Sequence, residues 1–144
     1  MASWIEVPPG CDFTLANLPY GVFSSNSSEH RIGTAIGEYA LDLKKLAQEG
    51  IFSDIPFDPK TLESATLNNY AALGRDVHRK VRSFLQELLR VDTSHGSILR
   101  DNPERIQRVL IRLCDVTMHL PMEIGDYTDF FVGIYHAQNV CYFS

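Results

Sequence analysis

The first third of the chain alternates short apolar runs with turn residues, a pattern typical of β-strands. The three runs are YGVFSS from Tyr20, RIGTAI from Arg31 and YALDL from Tyr39. Gly37 and Glu38 lie between the last two runs, as in the tight turn of a β-hairpin. Because Tyr39, Leu41 and Leu43 recur at every second position, we expect one apolar face. Three short strands are marginal alone, so they should roll into a small barrel or pack under helices.

The middle of the chain has the three- and four-residue apolar spacing of amphipathic helices. LKKLAQEG predicts a short helix closed by Gly50, and TLNNYAALG predicts another that is capped by Thr66. The longest helical stretch, RDVHRKVRSFLQELLR, repeats apolar residues at Val77, Val81, Phe84, Leu85 and Leu88. A last helix should begin at Pro103 with Asn102 as its cap, and its apolar face should continue to Leu113.

The pattern changes past Cys114, where Val116, Met118 and Leu120 alternate with polar residues. This alternation stops at Pro121, and acidic and aromatic residues come next. We therefore predict a first domain over residues 1–121 and the beginning of a second over 122–144. We interpret His119 as a surface or hydrogen-bonded strand histidine, and Cys114 as a small buried residue without a catalytic base.

Composition narrows the class of protein. The 144 residues are 44% apolar and 22% charged, which suits one soluble globular domain with a core. The net charge of -5 argues against a nucleic-acid partner. From the N-terminal residues and the lack of a long apolar run, we expect neither a signal peptide nor a membrane-spanning segment. The three distant cysteines, Cys11, Cys114 and Cys141, fit neither a zinc site nor a disulfide framework, so we expect a cytoplasmic protein.

Candidate chemistry concentrates in IGDYTDFFVGIYHAQNV, which begins at Ile124. Asp126 and Asp129 could supply oxygen ligands to a hard cation, although such ions need about six or more. If the chain between them is helical, His136 projects from the same side as Asp129, where it could act as a general base. Both aspartates are also good caps for a helix over FFVGIYHAQN. Their spacing favours capping without excluding the metal.

Several motifs resemble fumarylacetoacetase when they are taken together and in order. They are LPYGVFSS, RIGTAIGEYALDL, TLNNYAALGR, ILRDN, TMHLPMEIGDYTDFF and HAQNV. The resemblance is to the N-terminal part of that family and runs from about Phe13 to Val140. It implies an α+β, mainly β fold: a small SH3-like barrel with added helices, followed by the start of a truncated β-roll catalytic domain.

The resemblance also implies a function. Enzymes of this family hydrolyse a carbon-carbon bond of 4-fumarylacetoacetate, giving fumarate and acetoacetate at the last step of phenylalanine and tyrosine catabolism. They are cytoplasmic homodimers that bind calcium or magnesium. By resemblance, His136 is the catalytic base, Asp129 is one metal ligand, and Phe131 stands where the family has a substrate-contacting tyrosine. Asp126 is left as a structural cap.

The last residues of the chain depart from the family pattern. After HAQNV the family has a glycine and then a substrate-binding arginine, whereas this chain has Cys141 and then YFS. Since Asp129 alone cannot hold a metal, we expect this chain to be only the N-terminal part and inactive by itself. The alternative is a non-catalytic domain that acts as a scaffold or interaction module. In either case Phe130, Phe131 and Tyr135 should be exposed without a larger domain beside them.

Overall fold

The fold combines five strands with five α-helices in a computed structural model, which describes residues 2–26, 29–130 and 132–141. The strands are β1 (Tyr20–Ser24), β2 (Arg31–Ile36), β3 (Tyr39–Asp42), β4 (Leu110–Arg112) and β5 (Thr117–His119). The helices are α1 (Leu43–Gln48), α2 (Asn68–Ala71), α3 (Arg75–Leu89), α4 (Pro103–Val109) and α5 (Ile134–Cys141). Short 3₁₀ turns cover Pro59–Glu63, Gly96–Ile98 and Leu113–Asp115. The three strands predicted near the N-terminus are therefore confirmed.

The five strands form one antiparallel sheet in the order β4-β3-β2-β1-β5. The sheet curls into a half-barrel that is compatible with an SH3-like barrel, and the fold is mixed α/β. Gly21 and Gly33 lie directly opposite each other on β1 and β2. A methyl group at Gly33 would collide with the ring of Phe23 and the carbonyl oxygen of Leu41, so this position needs glycine for the ring to pack inside the curl.

Strand β4 was missed in the sequence because we extended the helical pattern to Leu113. The helix α4 ends at Val109, and the next three residues pair with β3, with Leu110 opposite Leu41 and Arg112 opposite Tyr39. The edge of β3 has backbone groups that need partners, and this strand supplies them. A local periodicity cannot reveal such a pairing, because the partner lies about seventy residues away in the chain.

One apolar core lies between the sheet and the helices. From the sheet it contains Val22, Ile32, Ile36 and Leu41, and from α3 it contains Val81, Leu85, Leu88 and Leu89, all of them fully buried. This confirms the amphipathic stripe predicted for α3. Each such side chain contributes about 1.5–3 kcal/mol on burial, so the core is the main source of stability.

The other face of the sheet buries a charged pair. Arg31 donates from Nη1 to Oδ2 of Asp42 at 2.9 Å, and Asp42 is fully buried. The second oxygen of Asp42 accepts from the backbone N–H of Lys45 at 3.0 Å and so caps α1. Burial raises the pKa of Asp42, while the Lys45 N–H and the Arg31 charge act against that rise. The guanidinium also lies 5.3 Å from the centre of the Phe23 ring.

Two of the three predicted helix-terminus signals are confirmed. Gly50 has φ +73°, and the Gly50 and Ile51 amides donate to Ala47 and Leu46 in a Schellman arrangement that ends α1. Asn102 caps α4 through Oδ1, which accepts from the Arg105 N–H at 3.0 Å.

The third signal, capping of α2 by Thr66, is wrong. The N-cap is Leu67, which has no side-chain cap. Its backbone N–H donates instead to the Pro121 carbonyl at 2.8 Å. The acceptor at this helix start therefore comes from a distant part of the chain and not from the Thr66 hydroxyl.

Candidate functional site

The segment that carries the predicted site, residues 120–141, leaves β5 and first crosses the start of α2. There the Pro121 carbonyl accepts from the Leu67 N–H. Two residues later, the Asn68 side chain makes two hydrogen bonds with the backbone of Glu123. Its Nδ2 donates to the Glu123 carbonyl at 3.0 Å, and its Oδ1 accepts from the Glu123 N–H at 2.9 Å. Sequence reasoning missed Asn68, because an asparagine at a helix start normally indicates local capping.

The described residues between Glu123 and α5 form no helix or strand. Asp126 and Asp129 both lie in this irregular part, and both are exposed. The helix that Asp126 was expected to cap begins only at Ile134, and the Gly133 carbonyl accepts its first-turn hydrogen bond from Ala137 at 3.0 Å. Asp126 thus lies eight residues before this helix, whereas an N-cap residue directly precedes its helix. Its role as a structural cap stays a prediction.

The structure places His136 in the first turn of α5, exposed to solvent. His136 and Asp129 would share one side of a helix if the chain between them were helical. That arrangement does not occur, because Phe130, Val132 and Gly133 are not helical. Phe131, the predicted substrate-contacting position, lies outside the described residues.

The described residues do not bring enough ligands together for a metal ion. Within residues 2–26, 29–130 and 132–141, no group of three or more histidine, cysteine, aspartate or glutamate side chains could hold one. Calcium or magnesium would need about six oxygen ligands, and Asp129 supplies at most two. The residues present therefore do not form a metal site by themselves.

The C-terminal segment is rich in exposed apolar side chains. Tyr127, Val132 and Tyr135 are 85%, 86% and 79% exposed, and Phe130 is 68% exposed. This confirms the exposure predicted for Phe130 and Tyr135. Large apolar side chains that crowd in one exposed segment usually mark a contact surface.

His119 and Cys114 lie in different surroundings near the sheet edges. His119 Nε2 lies 2.8 Å from Ser24 Oγ, and its ring stacks on that of His30 with 3.9 Å between centroids. It is therefore a hydrogen-bonded strand histidine, as predicted. Cys114 is exposed, so its predicted burial is wrong. The 3₁₀ turn after β4 leaves its thiol outside the core.

A cavity of about 380 Å³ opens in the curl of the half-barrel. Its walls are almost wholly apolar and include Phe23, Gly33 and Met118. Neither Asp129 nor His136 lines it, so the cavity is separate from the predicted chemistry.

Comparison with known proteins decides which family these residues belong to. Residues 16–121 match the family model described as "Fumarylacetoacetase N-terminal". The chain belongs to the fumarylacetoacetase N-terminal family. Fumarylacetoacetase of Emericella nidulans is 48% identical over 144 residues, which cover 97% of this chain and 33% of that protein.

Other fumarylacetoacetases show the same relation. The protein of Caenorhabditis elegans is 41% identical over 141 residues, which cover 97% of this chain and 33% of the relative. The protein of Mus musculus is 40% identical over 139 residues, which cover 96% of this chain and 32% of the relative. The chain thus spans about a third of the length of the curated fumarylacetoacetases that it matches. Among the described residues, no helix is both long and apolar enough to cross a membrane.

Proposed function

We propose that this chain contributes to fumarylacetoacetase-type hydrolysis, in which water cleaves a carbon-carbon bond of 4-fumarylacetoacetate and yields fumarate and acetoacetate. The observation that carries the proposal is the identity of 36–48% with fumarylacetoacetases along nearly the whole chain. The chain spans about a third of those proteins, so it would act together with groups that the other two thirds supply.

Within this function, His136 is the proposed base. A neutral imidazole can take a proton from water, and a water activated in this way attacks the carbonyl carbon beside the bond that breaks. The position of His136 on the first turn of α5, exposed to solvent, keeps its ring accessible to such a water and to a substrate.

Membership of the family implies a metal cofactor, and calcium or magnesium is our specific proposal for it. Asp129 would supply one carboxylate ligand from the exposed stretch before α5. Since the described residues do not complete a site, we derive no step of the reaction through the metal.

Further parts of the proposal come from the same resemblance. They are a domain boundary after Pro121, the start of a β-roll catalytic domain over 122–144, and a homodimer in the cytoplasm. The family match ends at residue 121, which supports the boundary. Phe131 would contact substrate without the hydroxyl group of the family's tyrosine.

A chimera tests the proposal directly. In it, this chain replaces the matching third of the Emericella nidulans fumarylacetoacetase, to which it is 48% identical. We expect the chimera to consume fumarylacetoacetate, followed by its absorbance. His136→Gln should lower kcat by about 10²–10⁴-fold, the usual contribution of a general base.

Asp129→Asn and Asp126→Asn make a matched pair, because both aspartates are exposed in the same stretch. Only Asp129→Asn should reduce turnover. A chimera that folds, as judged by circular dichroism, but has no activity would contradict the proposal. Equal activity of the two asparagine variants would remove Asp129 from the site.

The second candidate is a non-catalytic interaction module. The row of exposed apolar side chains in the C-terminal segment favours it, because such a row suits a contact with another protein surface. If the folded chimera is inactive while the intact relative works, this function becomes the better account.

A further inference from the structure

The start of α2 fixes the path of the segment that carries Asp129 and His136. We propose that Asn68 is a positioning residue, which sets the direction in which the chain leaves the domain after Glu123. This inference rests on the proposed function, because that function is what makes the direction of the segment matter.

Two hydrogen bonds join the side chain of Asn68 to the backbone of Glu123. The side-chain amide of Asn68 donates to the carbonyl of Glu123 at 3.0 Å and accepts from its N–H at 2.9 Å. It thus pairs with the backbone of one residue as a neighbouring β-strand would. A backbone N–H only donates and a carbonyl only accepts, so a single orientation of the amide satisfies both. Two hydrogen bonds to one residue fix its orientation as well as its place.

Asn68 lies at a helix start whose neighbouring apolar side chains are buried. Asn68 is the first residue of α2, next to Leu67, which is 9% exposed, and close to Tyr70, which is 4% exposed. The Leu67 N–H also donates to the Pro121 carbonyl at 2.8 Å. Three hydrogen bonds therefore join buried Leu67 and half-buried Asn68 to Pro121 and Glu123.

The residues that directly follow Glu123 have no regular secondary structure. The described residues between Glu123 and Ile134 form no helix or strand, and Asp126 and Asp129 lie exposed among them. The orientation of Glu123 therefore sets the direction of the residues that directly follow it and lead toward Asp126 and Asp129.

Hydrogen exchange by NMR on the full chain tests the inference without needing turnover. In Asn68→Ala, the Glu123 amide loses its acceptor, and its protection factor should fall at least tenfold. Asn69→Ala is the matched control, since Asn69 is next in the chain and donates to Ser64 Oγ at 3.3 Å instead. It should leave the Glu123 amide as in the parent chain.

Asn68→Asp separates positioning from general loss of structure. An ionised carboxylate accepts from the Glu123 N–H but repels its carbonyl, whereas a protonated carboxyl can both donate and accept. The protection factor of Glu123, normalised to the parent chain at the same pH, should be reduced at pH 7. It should recover as the pH falls below about 4, where aspartate protonates.

Two results would overturn the inference. One is equal protection of Glu123 in Asn68→Ala and Asn69→Ala, and the other is no recovery at low pH in Asn68→Asp. Both results concern the backbone alone, so they are independent of the chimera assay. Failure of that assay would remove the proposed function and leave the exchange result standing.

Discussion

Gly37 is subject to two constraints in the β2–β3 turn. Its φ of +54° lies in the region that side chains rarely adopt. A methyl group there would also collide with the backbone carbonyl of Glu6, which belongs to the N-terminal stretch that crosses the hairpin. Gly50 also has positive φ, +73°, but a methyl group there would meet no atom within 4 Å. A comparison of the two glycines therefore separates the cost of positive φ from the cost of a collision with neighbouring backbone.

We expect Gly37→Ala to lower the free energy of unfolding by about 2–4 kcal/mol, because it adds a backbone collision to the strain of positive φ. Gly50→Ala should cost only about 1 kcal/mol, since it adds the strain alone. Urea unfolding followed by circular dichroism measures both. Equal losses in the two variants would mean that the N-terminal stretch moves aside at little cost.

Tyr20 and Tyr70 have buried hydroxyl groups that lack a well-formed hydrogen bond within the described part of the chain. Their rings are 5.5 Å apart at the centroids. Burial raises the pKa of both phenols above the ordinary value of 10.0. For Tyr20 the Tyr70 hydroxyl and the Arg82 charge oppose this rise, and for Tyr70 the Tyr20 hydroxyl reinforces it.

These raised values predict a loss of stability in alkali. In the unfolded chain the two phenols ionise near pH 10, whereas in the fold they keep their protons to higher pH. A group whose pKa is raised in the folded state contributes its full stabilisation below the unfolded pKa. That contribution is lost as the pH rises from the unfolded pKa through the folded pKa. The free energy of unfolding should therefore fall above about pH 10.

Replacing both Tyr20 and Tyr70 with phenylalanine should remove much of that dependence. At pH 7 the double variant should lie within about 1 kcal/mol of the parent, because it removes two polar groups that have no good partners. Urea titrations at pH 7 and pH 10.5 provide the comparison. A double variant that still loses as much stability in alkali would assign the effect to other groups.

At the scale of elements, Glu49 connects α1 to α4. It follows the last residue of α1, and its two oxygens accept from Arg105 Nε at 2.5 Å and from Arg108 Nε at 3.1 Å. Burial alone would raise the pKa of Glu49, but the two arginines outweigh it and lower the pKa below the ordinary value. The carboxylate is 24% exposed, so solvent weakens the attraction only in part.

Glu49→Gln should therefore lower the free energy of unfolding by about 0.5–1 kcal/mol at pH 7. A lowered folded pKa gives stability that is present above the unfolded pKa and is lost as the pH falls. The difference between the variant and the parent should thus shrink below about pH 4, measured by urea unfolding. Glu63→Gln is a suitable control, since Glu63 accepts from the uncharged side chain of Gln48 at 3.2 Å.

The elements that were predicted correctly are those with local causes. The apolar stripe of α3, the Asn102 cap and the Gly50 terminus each follow from residues a few positions apart. Two of the failures, at β4 and at the start of α2, depend on distant partners. Strand β4 forms against β3, and the N–H of Leu67, the N-cap of α2, donates to the Pro121 carbonyl. Periodicity and capping rules describe only neighbours in the chain, so they could not supply these.

At the scale of the whole molecule, the candidate site was located by motif and not by geometry. The spacing of Asp129 and His136 suggested one helix, whereas the structure has an irregular stretch and then α5. The residues that decide its chemistry belong to no cluster of metal ligands within the described residues. The resemblance of the motifs led us to predict His136 and Asp129, while their arrangement depends on packing that the pattern of residues does not encode.

The exposed apolar side chains of the C-terminal segment should limit solubility. Phe130 is 68% and Tyr135 is 79% exposed, so two molecules can bury these rings against each other. We expect the double variant Phe130→Ser and Tyr135→Ser to remain monomeric at higher concentration than the parent, as measured by light scattering. Asn139→Ser, in the same helix, should change nothing. Association that is equal in all three proteins would place the self-associating surface elsewhere.

Positions 68 and 123 should differ in how many substitutions they tolerate. Asn68 contributes its side chain, whereas Glu123 contributes only backbone atoms. A saturation library should therefore accept almost any amino acid at position 123 except proline, which lacks the N–H. Position 68 should accept very few. The direction of the chain after Glu123 thus depends on the side chain of Asn68, which lies in another part of the sequence, while the side chain of Glu123 can vary.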